Sequence, residues 1–94
     1  MKVVWTRRAI RHLIALRAPI ATDSERNAAI VAQRILAAVD LLRLQPEIGR
    51  PGRILVTREL IIPRSPYLIP YRVKKERLEP IAIFDGHQKW PSKL

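Results

Sequence analysis

The sequence predicts an α+β fold, and three features of its 94 residues carry that expectation. Two amphipathic helical stretches occupy the first half, and runs of β-favouring residues fill the second. The hydrophobic period changes from helical to alternating at a Pro- and Gly-rich connector near residue 50. The predicted order is β-α-α-β-β-β: an N-terminal strand, an antiparallel two-helix hairpin and a three-stranded antiparallel meander, with the helices on one face of the sheet. Hydrophobic residues make up 48% of the chain, enough for one core in a single domain over 1–94.

Lys2-Val3-Val4-Trp5 reads as the first strand, with Thr6 as the N-cap of the helix that follows. Ala9, Leu13 and Leu16, with Ile10 and Ile14 alongside, recur at helical spacing, while Arg7, Arg8, Arg11 and Arg17 cover the other side. Pro19 is expected to end this helix. Thr22-Asp23-Ser24-Glu25 fits a capping box that starts a second helix, whose apolar face is Ala28, Val31, Ile35, Ala38, Val39 and Leu42 and which stops at Leu44-Gln45 before Pro46. Glu47 to Gly52 is a turn-rich connector. The strands are then expected at 54–62, 67–73 and 78–84, separated by Pro63-Arg64-Ser65-Pro66 and Lys74-Lys75-Glu76-Arg77.

Charge narrows the partners. Thirteen Arg and five Lys face eight acidic residues, a net charge of +10 spread over both halves of the chain. Arginine favours planar, bidentate acceptors, so the implied partner is an acidic protein or a nucleic acid. The absence of cysteine removes disulfides and thiolate zinc sites, and neither a metal nor a cofactor is expected. No apolar run reaches the roughly 18 residues needed to span a bilayer, and Met1-Lys2-Val3-Val4-Trp5 is too quickly basic for a signal peptide. A cytoplasmic protein without membrane contact is the expectation. With two Trp, two Tyr and one Phe, mostly at core-like positions, there is no stacking platform for single-stranded nucleic acid.

Four segments in fixed order carry a resemblance: Leu44 to Gly52, Thr57-Arg58-Glu59-Leu60, Pro66 to Val73, and Gly86-His87-Gln88-Lys89-Trp90-Pro91. Together they resemble the RelE/ParE toxins of bacterial type II toxin–antitoxin systems, on the ParE-like side. The resemblance implies two helices against a curved antiparallel sheet and a cognate acidic antitoxin in a hetero-oligomer, with operator DNA reached only through that antitoxin. It implies either inhibition of an essential target such as DNA gyrase or ribosome-dependent cleavage of messenger RNA. An inert assembly partner of a DNA-binding antitoxin is a third, weaker reading.

Cleavage through a 2′-hydroxyl needs a base, an acid and cationic donors for the phosphate. Aligned on Tyr67 and Tyr71, the positions at which ribonuclease members keep basic residues are Glu59, Ile61, Leu68 and approximately Gln88 here. That departure tilts the expectation from enzyme towards inhibitor. If the protein is an endoribonuclease, Arg58, Arg72 and His87 are the candidates; otherwise Arg58 and Arg72 are solvated or antitoxin-contacting arginines. Glu59 is either a base or a strand charge paired with an arginine, and Tyr67 and Tyr71 are expected in the core. His12 is expected at the surface, Trp5 and Trp90 as structural anchors, and Lys74, Lys75 and Arg77 at a solvated hairpin tip. Arg7, Arg8, Arg11 and Arg17 are the candidate antitoxin contacts, beside a groove between the two helices.

Overall fold

Short β-strands flank a helical hairpin in the order the hydrophobic periods dictate. The computed structural model describes residues 1–87. Its elements are β1 Lys2–Val3, α1 Arg7–Asp23, α2 Glu25–Leu42, β2 Arg50–Pro51, β3 Arg58–Ile61, β4 Tyr67–Lys74, β5 Arg77–Pro80 and β6 Phe84–Asp85. The sequence-based roles of Gln88 and Trp90 fall outside the described residues.

The helices begin where side-chain oxygens can take up free N–H groups. Thr6 caps α1, its Oγ1 accepting from Ala9 N at 3.1 Å and donating to the carbonyls of Pro80 and Ile81. The cap thereby ties the helix start to the end of β5. Pro19 does not end α1, which runs on to Asp23. The carbonyl of Ala15, which loses its donor to the proline ring, belongs to an exposed turn where water can replace the bond. The cap of α2 is Ser24, two residues beyond the expected Thr22: Ser24 Oγ accepts from Asn27 N at 3.1 Å, and its own N–H closes α1 on Ile20 O. One residue both ends the first helix and starts the second.

The sheet order is β1-β5-β4-β3-β2, with β6 also on β4. The meander of β3, β4 and β5 is antiparallel as expected, whereas β1 joins β5 in parallel, which makes the sheet mixed. Strand lengths differ from the sequence expectation for two reasons. Residues 52–57 fold into a tight loop, closed by Gly52 N on Thr57 O at 2.8 Å and by Thr57 on the Ile54 carbonyl, so β3 begins only at Arg58. The last predicted strand is broken at Pro70, whose carbonyl accepts from Ile81 N at 2.8 Å but which has no N–H to return. Tyr71 stands opposite Pro80 and Tyr67 opposite Asp85, so the outer strand accommodates one extra residue in the interval, as a bulge does.

The core lies between α2 and the sheet: Ile35, Val39 and Leu42 pack with Leu60, Ile62, Ile69, Tyr71, Leu78 and Ile83. Val3, Trp5, Leu13, Leu16 and Tyr67 close its margins. The buried stripe of α1 is narrower than expected, because Ile10 and Ile14 are 45% and 65% exposed. Tyr71 anchors the connector, its hydroxyl donating to Pro46 O at 2.7 Å and accepting from Gly49 N at 2.9 Å. A Cβ on Gly49 would lie 2.5 Å from that hydroxyl, so only glycine admits the ring this close.

Candidate functional site

Three polar regions surround this core. The first is the loop between β2 and β3, organised by Glu59. Alternation along β3 directs Glu59 away from the Leu60 side, and it is only 3% exposed. Its Oε1 accepts from Arg50 and its Oε2 from both the backbone N–H and Nε of Arg53, at 2.9–3.1 Å. Burial works to raise the carboxyl's pKa, and the hydrogen bonds from Arg53 and Arg50 outweigh it and hold the group below its ordinary value. Glu59 is thus an ionised clamp with its lone pairs committed. It braces a loop whose tip presents Leu55 and Val56 at 88% and 82% exposure, Val56 with a positive φ of 65° that is costly for a β-branched residue.

A cleft of about 320 Å³ opens between this loop and β4, lined by Pro51, Val56, Thr57, Arg58, Tyr71, Arg72 and Val73. It contains two of the three candidate ribonuclease residues, both engaged. Arg58 donates from Nη1 to the carbonyls of Gly49 at 2.8 Å and Glu47 at 3.2 Å. Arg72 Nε donates to Glu79 at 2.7 Å across the β4–β5 pair. Register places Arg58 on the face of Tyr71 and Arg72 on the opposite one, so they share only the rim of the cleft. His87 stands elsewhere. It follows β6, which pairs at the Tyr67 end of β4, about 17 Å along the strand from Arg72 at roughly 3.3 Å per residue. Its exposed backbone N–H donates to Asp85 Oδ1 at 2.8 Å. Ile61 is exposed, and Leu68 is buried opposite Phe84.

The second region contains His12, which the sequence placed at the surface. The structure corrects this: Nδ1 accepts from Ile83 N at 3.0 Å, and the ring lies against Phe84 with centroids 5.6 Å apart. Burial lowers the imidazole's pKa, and the neighbouring charges of Arg8 and Arg11 lower it further. His12 is therefore neutral, with its proton on Nε2. It lines a cleft of about 390 Å³ with Leu16, Pro19, Ile20, Tyr67 and Asp85.

The third region is the outer face of α1. Arg7 and Arg11 are exposed and Arg8 half-buried, and none has an ion-pair partner among the described residues. Arg17 bridges to Glu25 at 3.5 Å across the helical hairpin. Ile10 and Ile14 interleave with these charges, a mixed apolar and cationic surface rather than a purely basic one. The Arg50–Glu59–Arg53 clamp matches the reading of Glu59 as a strand charge paired with arginine; which of the five arginines between residues 48 and 75 would hold this lone acid carried no sequence signal. His12 left no comparable sequence signal, because its partner lies 71 residues away. Among the described residues no three His, Asp or Glu side chains cluster to hold a metal, and no helix is long and apolar enough to cross a membrane.

The family model described as ParE toxin of type II toxin-antitoxin system, parDE, matches residues 3–90. A Sinorhizobium fredii protein named "Putative toxin Y4kP" is 44% identical over 93 residues, covering 99% of this chain and 96% of its own length. Toxin RelE2 of Caulobacter vibrioides is 38% identical over 72 residues, 77% of this chain and 80% of that one. A solved structure titled "Chromosomal ParDE TA system from P. aeruginosa" superposes with a TM-score of 0.82 at 27% identity, over 90% of this chain and 95% of that chain. The strand-helix-helix-sheet order and these likenesses agree, and the chain belongs to the ParE toxin family of type II toxin–antitoxin systems.

Proposed function

We propose that this toxin arrests growth in the cytoplasm by binding an essential target, DNA gyrase, and not by cutting RNA. The observation that carries the reading is that every candidate for RNA chemistry is engaged or isolated. Arg58 is spent on two backbone carbonyls, Arg72 on Glu79 and Glu59 on two arginines, while His87 stands at the other end of β4. A general base and its phosphate donors must converge within hydrogen-bond reach of one substrate atom, and these do not. In an assay of purified gyrase, the toxin is expected to inhibit supercoiling and its antitoxin to restore it. Undiminished supercoiling at a large molar excess of toxin would refute the assignment.

The alternative, a ribosome-dependent messenger RNA endonuclease using Arg58, Arg72 and His87, draws support from the likeness to the protein named Toxin RelE2. The third reading, an inert assembly partner, has no structural feature in its favour; it predicts that expression without the antitoxin leaves growth unaffected.

The antitoxin is read as an acidic segment seated on α1 beside the groove between the two helices, with Arg7, Arg8, Arg11 and Arg17 as its cationic contacts. Support comes from charge and shape together: three arginines without ion-pair partners among the described residues, and exposed Ile10 and Ile14 at the spacing an amphipathic segment can match. Operator DNA is then reached through the antitoxin.

A further inference from the structure

Three like charges stand side by side on neighbouring strands. Register places Lys2 of β1 opposite Arg77 of β5, and Arg77 opposite Lys74 of β4. Partners in register project to the same face, and strands lie about 4.8 Å apart, so the three cations form a row roughly 10 Å wide. Lys75 extends the row at the hairpin tip, and Arg72 and Glu79 form the next row inward. Of the acids on that face, Glu79 lies within these rows and takes Arg72 at 2.7 Å and Arg77 at 3.8 Å, while Glu59, opposite Pro70, is held by Arg50 and Arg53. The Glu79 carboxyl is held below the ordinary value by the Arg72 hydrogen bond first, and also by the charges of Arg72, Arg77 and Lys74. Lys2, Lys74 and Lys75 are exposed and have no ion-pair partner among the described residues.

Like charges directly opposite one another on adjacent strands destabilise a sheet. The hairpin adds strain, since Lys75 and Glu76 both hold positive φ, 51° and 62°, in a turn that favours Asn-Gly. A surface built against local preference in this way is relieved by a polyanion. Three of the chain's five lysines meet here, flexible point charges of the kind that follow a phosphate backbone. No aromatic ring lies in the row, which disfavours unpaired bases. Val73, the exposed apolar side chain beside it, alternates to the opposite face, so the row also lacks the apolar anchor on which protein interfaces centre.

We propose that Lys2, Lys74, Lys75 and Arg77 form a contact for the phosphate backbone of duplex DNA. The choice of DNA rests on the gyrase reading, because an inhibitor of gyrase meets its target on duplex DNA. The test is equilibrium binding of a 30-base-pair duplex by free toxin across a salt series. The wild type is compared with the Lys2→Gln/Lys74→Gln/Lys75→Gln variant and with an Arg26→Gln/Arg34→Gln control on α2. The lysine variant is expected to lose at least tenfold in affinity, and its log K against log salt slope is expected to shrink by about 0.9 for each phosphate contact removed. The α2 control should retain its slope, and unfolding midpoints should show all three proteins folded.

Equal slopes for wild type and lysine variant, or an equal loss in the α2 control, would overturn the proposal. So would weakened antitoxin binding with unchanged DNA binding, which would make the row a protein contact. Tighter binding of a duplex RNA of the same length would overturn the choice of DNA. A lysine-dependent slope from a wild type that leaves supercoiling untouched would sustain the DNA contact while removing the gyrase reading.

Discussion

His12 shows most directly how one side chain joins distant parts of this chain. Its neutral ring holds the Ile83 amide through Nδ1, and protonation would place a second N–H where the acceptor must be. Because its folded pKa is lowered, the unfolded chain binds the proton more readily. The contribution of His12 to stability is therefore complete above the unfolded value near 6.5 and declines as pH falls from there through the lowered folded value. Denaturant midpoints measured between pH 8 and pH 5 are expected to fall for the wild type and to lose part of that dependence in His12→Gln. A profile identical in the two proteins would show that the imidazole does not titrate against folding. Sequence alone showed a histidine among helical arginines; its role depends on the bulge that brings Ile83 over α1. Tyr71 and Glu59 were more legible. An aromatic at an alternating strand position and a lone acid among arginines each have few favourable placements, and both found partners of the expected kind.

The helical hairpin was readable because period, cap residues and proline all bear on the same stretch of chain. Its boundary moved by two residues because Thr22 and Ser24 are both competent caps, and the continuation of α1 past Pro19 depends on exposure, which no residue pattern displays. The strands were less legible. Their interruptions arise from a donor missing at Pro70 and from loop closure by Gly52 and Thr57, features that act between strands rather than along them. The outward turn of Ile10 and Ile14 has the clearest bearing on the proposed antitoxin contact, because it converts a basic helix face into a mixed apolar and cationic one. Reversing Arg8 and Arg11 to Glu is expected to weaken antitoxin affinity at least tenfold, mostly through slower association at low salt. Unchanged affinity in a titration of the purified pair would move the antitoxin to another face.

At the scale of the whole molecule, the fold sets the described candidate residues for RNA chemistry at opposite ends of β4. One end of β4 holds Arg72 beside a strained, apolar-tipped loop and a row of cations. The other end holds Asp85 and the His87 backbone, and α1 carries arginines of its own. Among the described residues, no base, acid and phosphate clamp meet at one point. The family and its two-helix architecture were legible because four dispersed segments had to coincide. The cellular target was not, since it depends on how these surfaces meet a second molecule. The most direct measurement is growth arrest by an Arg72→Ala/His87→Gln double variant expressed without antitoxin, with message integrity followed in the same cells. A binding toxin predicts undiminished arrest and intact messages in both wild type and variant. Ribosome-dependent cuts in the wild type that disappear together with the arrest in the variant would contradict the account.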